Sequence, residues 1–179
     1  MEKNKSIVMS NREDLNSYRE KIFNNLNIGM DYLKELLDSN DAFEFFKCIK
    51  YDKTVIDPLT GEAENLIEVI NQCQTYMVSI MAVEYLFSIH SKHSFKKNFG
   101  KIAGYDIESE DGSIIAECFA STSYRSNNKL VKDLHRLDSN KIAKYKYEFF
   151  YDLEFTENSK VYYQKKYPDI IIIKFNDIK

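Results

Sequence analysis

Two acidic residues lie where a carboxylate is useful for chemistry and costly for folding. Asp106 lies in a strand-like segment of alternating polarity, and Glu117 sits in the middle of the apolar run 114–120. A charge in such a run must be paired, protonated or bound to a metal. Asp111-Gly112, between the two segments, is typical of a tight β-hairpin turn. The hairpin would place Asp106 beside Glu117, and two converging carboxylates supply the hard oxygen ligands that Mg²⁺ prefers.

The elements around this hairpin switch between helical and strand periodicity. A long helix is predicted to begin near Glu62 and to end before the polar stretch 88–93. The order that follows is a hairpin of strands 102–108 and 113–121, a helix over 127–137, a strand over 145–151, a helical or irregular segment over 157–166, and a strand over 169–176. The uninterrupted run of four isoleucines at 170–173 is typical of a central buried strand.

This order predicts an α/β core over residues 61–179, with a mixed sheet of about four or five strands flanked by helices. An N-terminal helical extension precedes it over residues 1–60, and the chain forms one compact domain overall. In the extension, helices are predicted over 11–27, from Asp31 onward, and over 41–49, with Gly29 interrupting the first two. The turn Asp57–Gly61 separates the extension from the core.

The amino-acid composition limits the classes of protein to which the chain can belong. The hydrophobic share of 44% is enough for a real core, and 25 tyrosines and phenylalanines among 179 residues argue against disorder. The three cysteines, Cys48, Cys73 and Cys118, have neither disulfide-framework nor zinc spacing, which predicts a reducing cytoplasm. We expect no membrane association, because the longest apolar run is too short to span a bilayer.

The residues Gly104-Tyr105-Asp106, Asp111-Gly112 and Ile115-Ala116-Glu117, followed by a helix and two strands, resemble the core of the PD-(D/E)XK nuclease superfamily. Restriction endonucleases and several DNA-repair enzymes share that restriction-endonuclease-like fold. The resemblance spans residues 66–179. It implies that Asp106 and Glu117 bind a catalytic Mg²⁺ or Mn²⁺, and that the backbone carbonyl of Cys118 completes the protein ligands.

The chain departs from the family pattern at one position. The family has a lysine two residues after the second acid, whereas this chain has Phe119. Either another lysine supplies the charge, with Lys129 the first choice and Lys132 the second, or the fold binds without cutting. Glu84, on the long upstream helix, is a possible additional acid.

Basic residues flank the acidic hairpin in sequence, which offsets the net charge of −3 and suits a phosphodiester backbone. Candidate nucleic-acid contacts are Lys96, Lys97, Lys101, Arg125, Asn128 and Lys132. The leading hypothesis is a restriction-type DNA endonuclease with Asp106, Glu117 and Lys129 as catalytic residues, acting as a homodimer on a symmetric site. The alternative is a catalytically inactive nuclease-fold protein that binds nucleic acid or serves as a subunit of a defence or repair complex.

Overall fold

The computed structural model describes residues 6–39, 41–99 and 104–178. Along the chain these residues form β1 (Ser6–Met9), α1 (Arg12–Ser39), α2 (Ala42–Tyr51), β2 (Val55–Ile56), β3 (Ala63–Glu64), α3 (Leu66–Ile89), β4 (Phe95–Asn98), β5 (Ile107–Ser109), β6 (Ile114–Ala120), α4 (Lys129–Ser139), β7 (Tyr145–Tyr151), α5 (Glu157–Lys166) and β8 (Ile170–Phe175). No helix within these residues is both long and apolar enough to cross a bilayer.

Six of the strands form one mixed sheet, in the order β1-β4-β5-β6-β7-β8. Neighbouring strands are antiparallel from β1 to β6 and parallel from β6 to β8. The predicted α/β class and mixed sheet are confirmed, but the predicted count of four or five strands is too low. The two short strands β1 and β4 carry little periodicity, and their pairing with each other and with β5 defines them. Through β1, the N-terminal segment joins the same sheet as the rest of the chain.

Helices cover both faces of the sheet and create two cores. On one face, α3 buries side chains against Ala116 and Cys118 of β6, and α1 packs on α3 and β1. On the other face, α4 supplies Leu130, Leu134 and Leu137, which share a core with Ile115 and Phe119 of the same strand. Since successive side chains of a strand point to opposite faces, Glu117 lies on the α4 face.

Three local predictions are corrected by the structure. Gly29 does not interrupt a helix, because α1 continues through it, and a Cβ there would meet the Leu66 side chain at 3.0 Å. The first hairpin strand is shorter than predicted: β5 begins at Ile107, and residues 102 and 103 lie outside the described part of the chain. The isoleucine strand β8 lies at the edge of the sheet, where α5 and α4 bury Ile170 and Ile172.

Candidate active site

The hairpin of β5 and β6 places the two predicted acids side by side. Gly112 adopts φ +68°, a left-handed conformation that suits glycine, and the strands pair with Ile107 opposite Ala116. Asp106 therefore lies next to the stretch of β6 that carries Glu117. The backbone N–H of Cys118 donates a 2.9 Å hydrogen bond to Oδ2 of Asp106. The predicted proximity of Asp106 and Glu117 follows from this register.

A buried lysine holds Asp106 in its charged form. Nζ of Lys97, on β4, lies 3.2 Å from Oδ1 of Asp106, and the lysine side chain is only 5% exposed. Burial alone would raise the pKa of Asp106. The charge of Lys97 and the N–H of Cys118 outweigh that effect, so the pKa is lowered. Asp106 is thus an anion fixed from two sides.

The charged form of Glu117, unlike that of Asp106, is disfavoured by its surroundings. Its side chain is fully buried, and Oε1 lies 2.7 Å from Nη1 of Arg136 on α4. Despite this ion pair, neither carboxylate oxygen accepts a hydrogen bond from any described residue. Burial, with further repulsion from Asp106 and Asp133, raises the pKa of Glu117 to about 8. The Glu117 carboxylate is therefore poorly compensated in the folded protein.

Helix α4 presents three charged side chains at positions i, i+4 and i+7, so they share one side of the helix. Nζ of Lys129 lies 2.8 Å from the carboxylate of Asp133, and Arg136 reaches Glu117. Burial raises the pKa of Asp133 even though Lys129 opposes the shift. Burial opposes the charge of Lys129, but Asp133, and more weakly Asp106 and Glu117, raise its pKa. The predicted lysine thus faces the acid cluster.

A fourth carboxylate, Glu148, was missed in the sequence. It lies on β7 directly opposite Glu117 of β6, and its side chain is fully buried. Burial, with repulsion from Asp133 and Glu117, raises the pKa of Glu148 well above its usual value. The signal was available, because Glu148 is the single acid in the aromatic strand 145–151, just as Glu117 is the single acid in its apolar strand.

A pocket of about 310 Å³ opens beside Asp106. The residues that line it include Glu68 and Gln72 of α3 together with Lys97, Phe99 and Asp106. The acid cluster is buried for the most part, but Asp106 keeps 27% of its side-chain surface exposed at this pocket. A ligand entering from solvent can therefore reach Asp106.

The remaining predicted residues are scattered. Glu84 forms a 3.1 Å salt bridge with Arg19 of α1 in place of a contact with the cluster. The other candidates that remain on the surface are Lys96, Arg125, Asn128 and Lys132. Lys97 is buried at Asp106, and Lys101 lies outside the described residues.

In a strand the N–H and C=O of one residue point to the same edge, so the carbonyl of Cys118 faces the Asp106 side of β6.

Comparison with known proteins found no match: no family model, curated protein or solved structure matches the chain. Within residues 6–39, 41–99 and 104–178, no group of three or more His, Cys, Asp or Glu side chains is arranged to hold a metal ion. The function must therefore be inferred from the paired carboxylates and the cations around them.

Proposed function

We propose that this protein is a Mg²⁺- or Mn²⁺-dependent endonuclease that hydrolyses phosphodiester bonds in duplex DNA. The observation that carries the proposal is the hydrogen bond that anchors Asp106 to the backbone of Cys118, the residue after Glu117, a buried carboxylate that accepts no hydrogen bond from the described residues. A divalent cation beside the two acids would supply positive charge to Glu117, whose charged form burial disfavours even with Arg136 beside it.

The order of elements supports the proposal. Helix α3, the antiparallel strands β4, β5 and β6, helix α4 and the parallel strand β7 follow one another as the resemblance to the PD-(D/E)XK superfamily implies. In that arrangement the two acids of the hairpin lie at the metal site. We therefore propose that the chain has a restriction-endonuclease-like fold.

Two carboxylates suit the coordination chemistry of Mg²⁺, which uses one or two protein carboxylates and fills its other positions with water and phosphate oxygens. Asp106 and Glu117 would hold the ion, with the Cys118 carbonyl as the third protein ligand. Bound there, the ion would supply Lewis-acid polarisation of the phosphate and an activated water. Asp106 is already anionic in the folded protein, because Lys97 and the N–H of Cys118 stabilise its charge.

Two lysines are candidates for the role of the family lysine, and their surroundings support different tasks for them. Lys97 is almost fully buried and engaged with Asp106, which makes it a positioning residue for that ligand. Lys129 keeps 44% of its side-chain surface exposed and faces both Asp106 and Glu117 electrostatically. Lys129 is therefore the side chain that stabilises negative charge developing on the phosphate.

Exposed polar and cationic side chains provide surface for the DNA backbone. Lys96, Arg125, Asn128 and Lys132 are exposed and flank the hairpin or the start of α4. Such contacts would make binding depend strongly on salt concentration. A homodimer would cut both strands, and apolar side chains exposed on α2, such as Phe43 and Phe46, offer a contact surface for it. We place the protein in the cytoplasm, where its three free cysteines stay reduced.

One observation favours a second candidate, a catalytically inactive protein that binds nucleic acid. Phe119 occupies the position of the family lysine and stacks on Phe150 with ring centroids 5.0 Å apart. The ring belongs to the core that β6 shares with α4. The side chain at this position therefore contributes to packing and supplies no positive charge. Such a protein would bind duplex DNA with the salt dependence of phosphate contacts and would leave it intact.

Incubation of the protein with supercoiled plasmid and an excess of Mg²⁺ or Mn²⁺ separates the two candidates. An endonuclease produces nicked and linear plasmid, and Asp106→Asn abolishes the products. The matched control is Glu110→Gln, which removes an exposed carboxylate of the same hairpin. Intact plasmid under both metals, combined with binding to duplex DNA in a gel shift, would establish the inactive candidate instead.

A further inference from the structure

A second pocket, of about 370 Å³, opens between the segment that follows β6 and the first turns of α5. Three tyrosines and an arginine dominate its lining, which consists of Tyr124, Arg125, Asn158, Ser159, Tyr162 and Tyr163. We call it the tyrosine pocket. It lies beyond the carboxyl ends of the parallel strands β6 and β7, where ligands of open α/β sheets commonly bind. Its volume falls within the range of small-ligand sites.

Two of the three tyrosines are fixed by packing on Phe155. The buried ring of Tyr124 meets Phe155 edge to face, with ring centroids 5.1 Å apart. The ring of Tyr163 lies nearly parallel to Phe155, with centroids 6.3 Å apart. The hydroxyl of Tyr124 also lies 3.2 Å from Oγ of Ser159, which links the segment after β6 to α5. The walls of the tyrosine pocket are therefore formed before any ligand enters, which lowers the entropic cost of binding.

Tyr162, by contrast, presents its ring to solvent. It is 60% exposed, and its ring meets Tyr163 edge to face with centroids 5.0 Å apart. A single exposed tyrosine requires no explanation. An open ring beside a pocket with fixed walls, however, is a platform on which a nucleobase can stack, and any base suits it because every base has a π-face.

Arg125 gives the tyrosine pocket a positive charge that is free to bind an anion. Its Nε donates a 3.1 Å hydrogen bond to the hydroxyl of Tyr124, and the guanidinium lies 5.1 Å from the centre of that ring. The two terminal nitrogens form no hydrogen bond or salt bridge with any described residue. Burial raises the pKa of Tyr163, and the charges of Lys166 and Arg125 oppose that rise, so a second cation lies nearby. An unengaged guanidinium fork suits a phosphate group.

We propose that the tyrosine pocket binds one unpaired nucleotide of a DNA strand, with its base stacked on Tyr162 and its phosphate held by Arg125. The inference rests on the proposed function for the identity of the nucleic acid, but the pocket itself requires no metal. A base can enter only when it is out of the helical stack, as at a strand end or a distorted pair. Arg125 and Lys129 are four residues apart in the chain, so their Cα atoms lie within about 14 Å of each other. A strand held in the pocket is therefore close to Lys129.

Fluorescence anisotropy in EDTA, with an end-labelled single-stranded oligonucleotide, tests the tyrosine pocket without metal or cleavage. An abasic strand of the same length carries the same phosphates and no bases. We expect the wild type to bind the base-bearing strand roughly 5- to 100-fold more tightly than the abasic strand, the scale of one stacked base. Tyr162→Ala should abolish this preference, and Tyr162→Phe, which keeps the ring, should retain it. Tyr51→Ala, at a similarly exposed tyrosine on α2, is the matched control.

Arg125→Gln tests the phosphate contact separately from stacking. It should weaken the base-bearing and abasic strands by the same factor, and it should reduce the slope of log affinity against log salt concentration by about one. Binding of a blunt-ended duplex should not change in Tyr162→Ala, whereas a duplex with a single-stranded overhang should bind Tyr162→Ala more weakly than it binds the wild type.

Equal affinity of the wild type for base-bearing and abasic strands, or an unchanged preference in Tyr162→Ala, would overturn the proposed nucleotide site. If a free deoxynucleoside monophosphate binds as tightly as the strand, the pocket is a free-nucleotide site and the strand assignment is wrong. Plasmid cleavage without a base preference would leave the endonuclease standing and remove the tyrosine pocket from it. A base preference that depends on Tyr162, combined with intact plasmid, would support the pocket in the catalytically inactive candidate.

Discussion

The backbone N–H of Cys118 donates a 2.9 Å hydrogen bond to the carboxylate of Asp106. This bond fixes an acid that precedes one strand to the residue that follows Glu117 on the next strand. The Asp106 carboxylate is therefore anchored to the backbone of β6 next to Glu117. A preorganised pair of this kind is what a metal-dependent active site requires.

Asp106 should contribute to stability as well as to metal binding. Asp106→Asn leaves the nearly buried Lys97 without its counter-charge, so we expect the free energy of unfolding to fall by roughly 2–4 kcal/mol. Because the folded state lowers the pKa of Asp106, its contribution is present above the unfolded value of 3.8 and is lost as the pH falls. Urea denaturation at pH 7 and pH 3 measures the effect, and the exposed Glu110→Gln should change stability by less than about 0.5 kcal/mol.

The raised pKa of Glu117 predicts that, in metal-free protein, its contribution to stability changes with pH in the opposite direction. Its folded pKa is raised from 4.5 to about 8, so its contribution to stability is complete below pH 4.5 and is lost as the pH rises through 8. For one proton, this loss approaches about 1.4 kcal/mol per pH unit between those values. Urea denaturation in EDTA from pH 5 to 8 should show a steeper decline for the wild type than for Glu117→Gln. Parallel curves for the two proteins would contradict the assignment.

Lys129 should act on the transition state. Lys129→Ala removes a cation that faces Asp106 and Glu117, so we expect plasmid cleavage to fall by at least about 100-fold, the scale seen when one charge-stabilising group is removed. Duplex binding should change only a few-fold, because the proposed metal ligands and the surface cations remain. Lys160→Ala, an exposed lysine on α5 that is not among the proposed DNA contacts, is the matched control. Cleavage by Lys129→Ala at the wild-type rate would remove Lys129 from the mechanism.

Restoring the family lysine at its usual position should fail. Phe119 is 4% exposed and packs in the core beneath α4, so Phe119→Lys buries an ammonium group and removes an aromatic contact with Phe150. We expect a loss of about 3–5 kcal/mol of unfolding free energy and no gain in cleavage. Thermal denaturation and the plasmid assay measure the two effects. A stable, more active Phe119→Lys protein would show instead that this core tolerates the charge.

Local patterns in the sequence determined much of the fold. Asp111-Gly112 defined the hairpin, and the aromatic strand 145–151 has the predicted bounds in the structure. The position of Asp106 beside β6 was predictable for the same reason, since a tight turn joins strands only a few residues apart. Gly29 shows where such reasoning fails: packing of α1 on α3 holds the helix together through a residue that weakens it locally.

Only the tertiary structure determined which charged side chains lie next to each other in the acid cluster. Lys97 looked like a surface contact in a basic segment, and pairing of β4 with β5 placed it at Asp106. Glu148 gained its place opposite Glu117 through the parallel register of β6 and β7, two strands separated by helix α4. The isoleucine strand came to lie at the sheet edge because no later strand of the described chain pairs beyond it. Periodicity tells which face of an element is buried, whereas the partner across that face depends on a register that residues far apart in the chain set together.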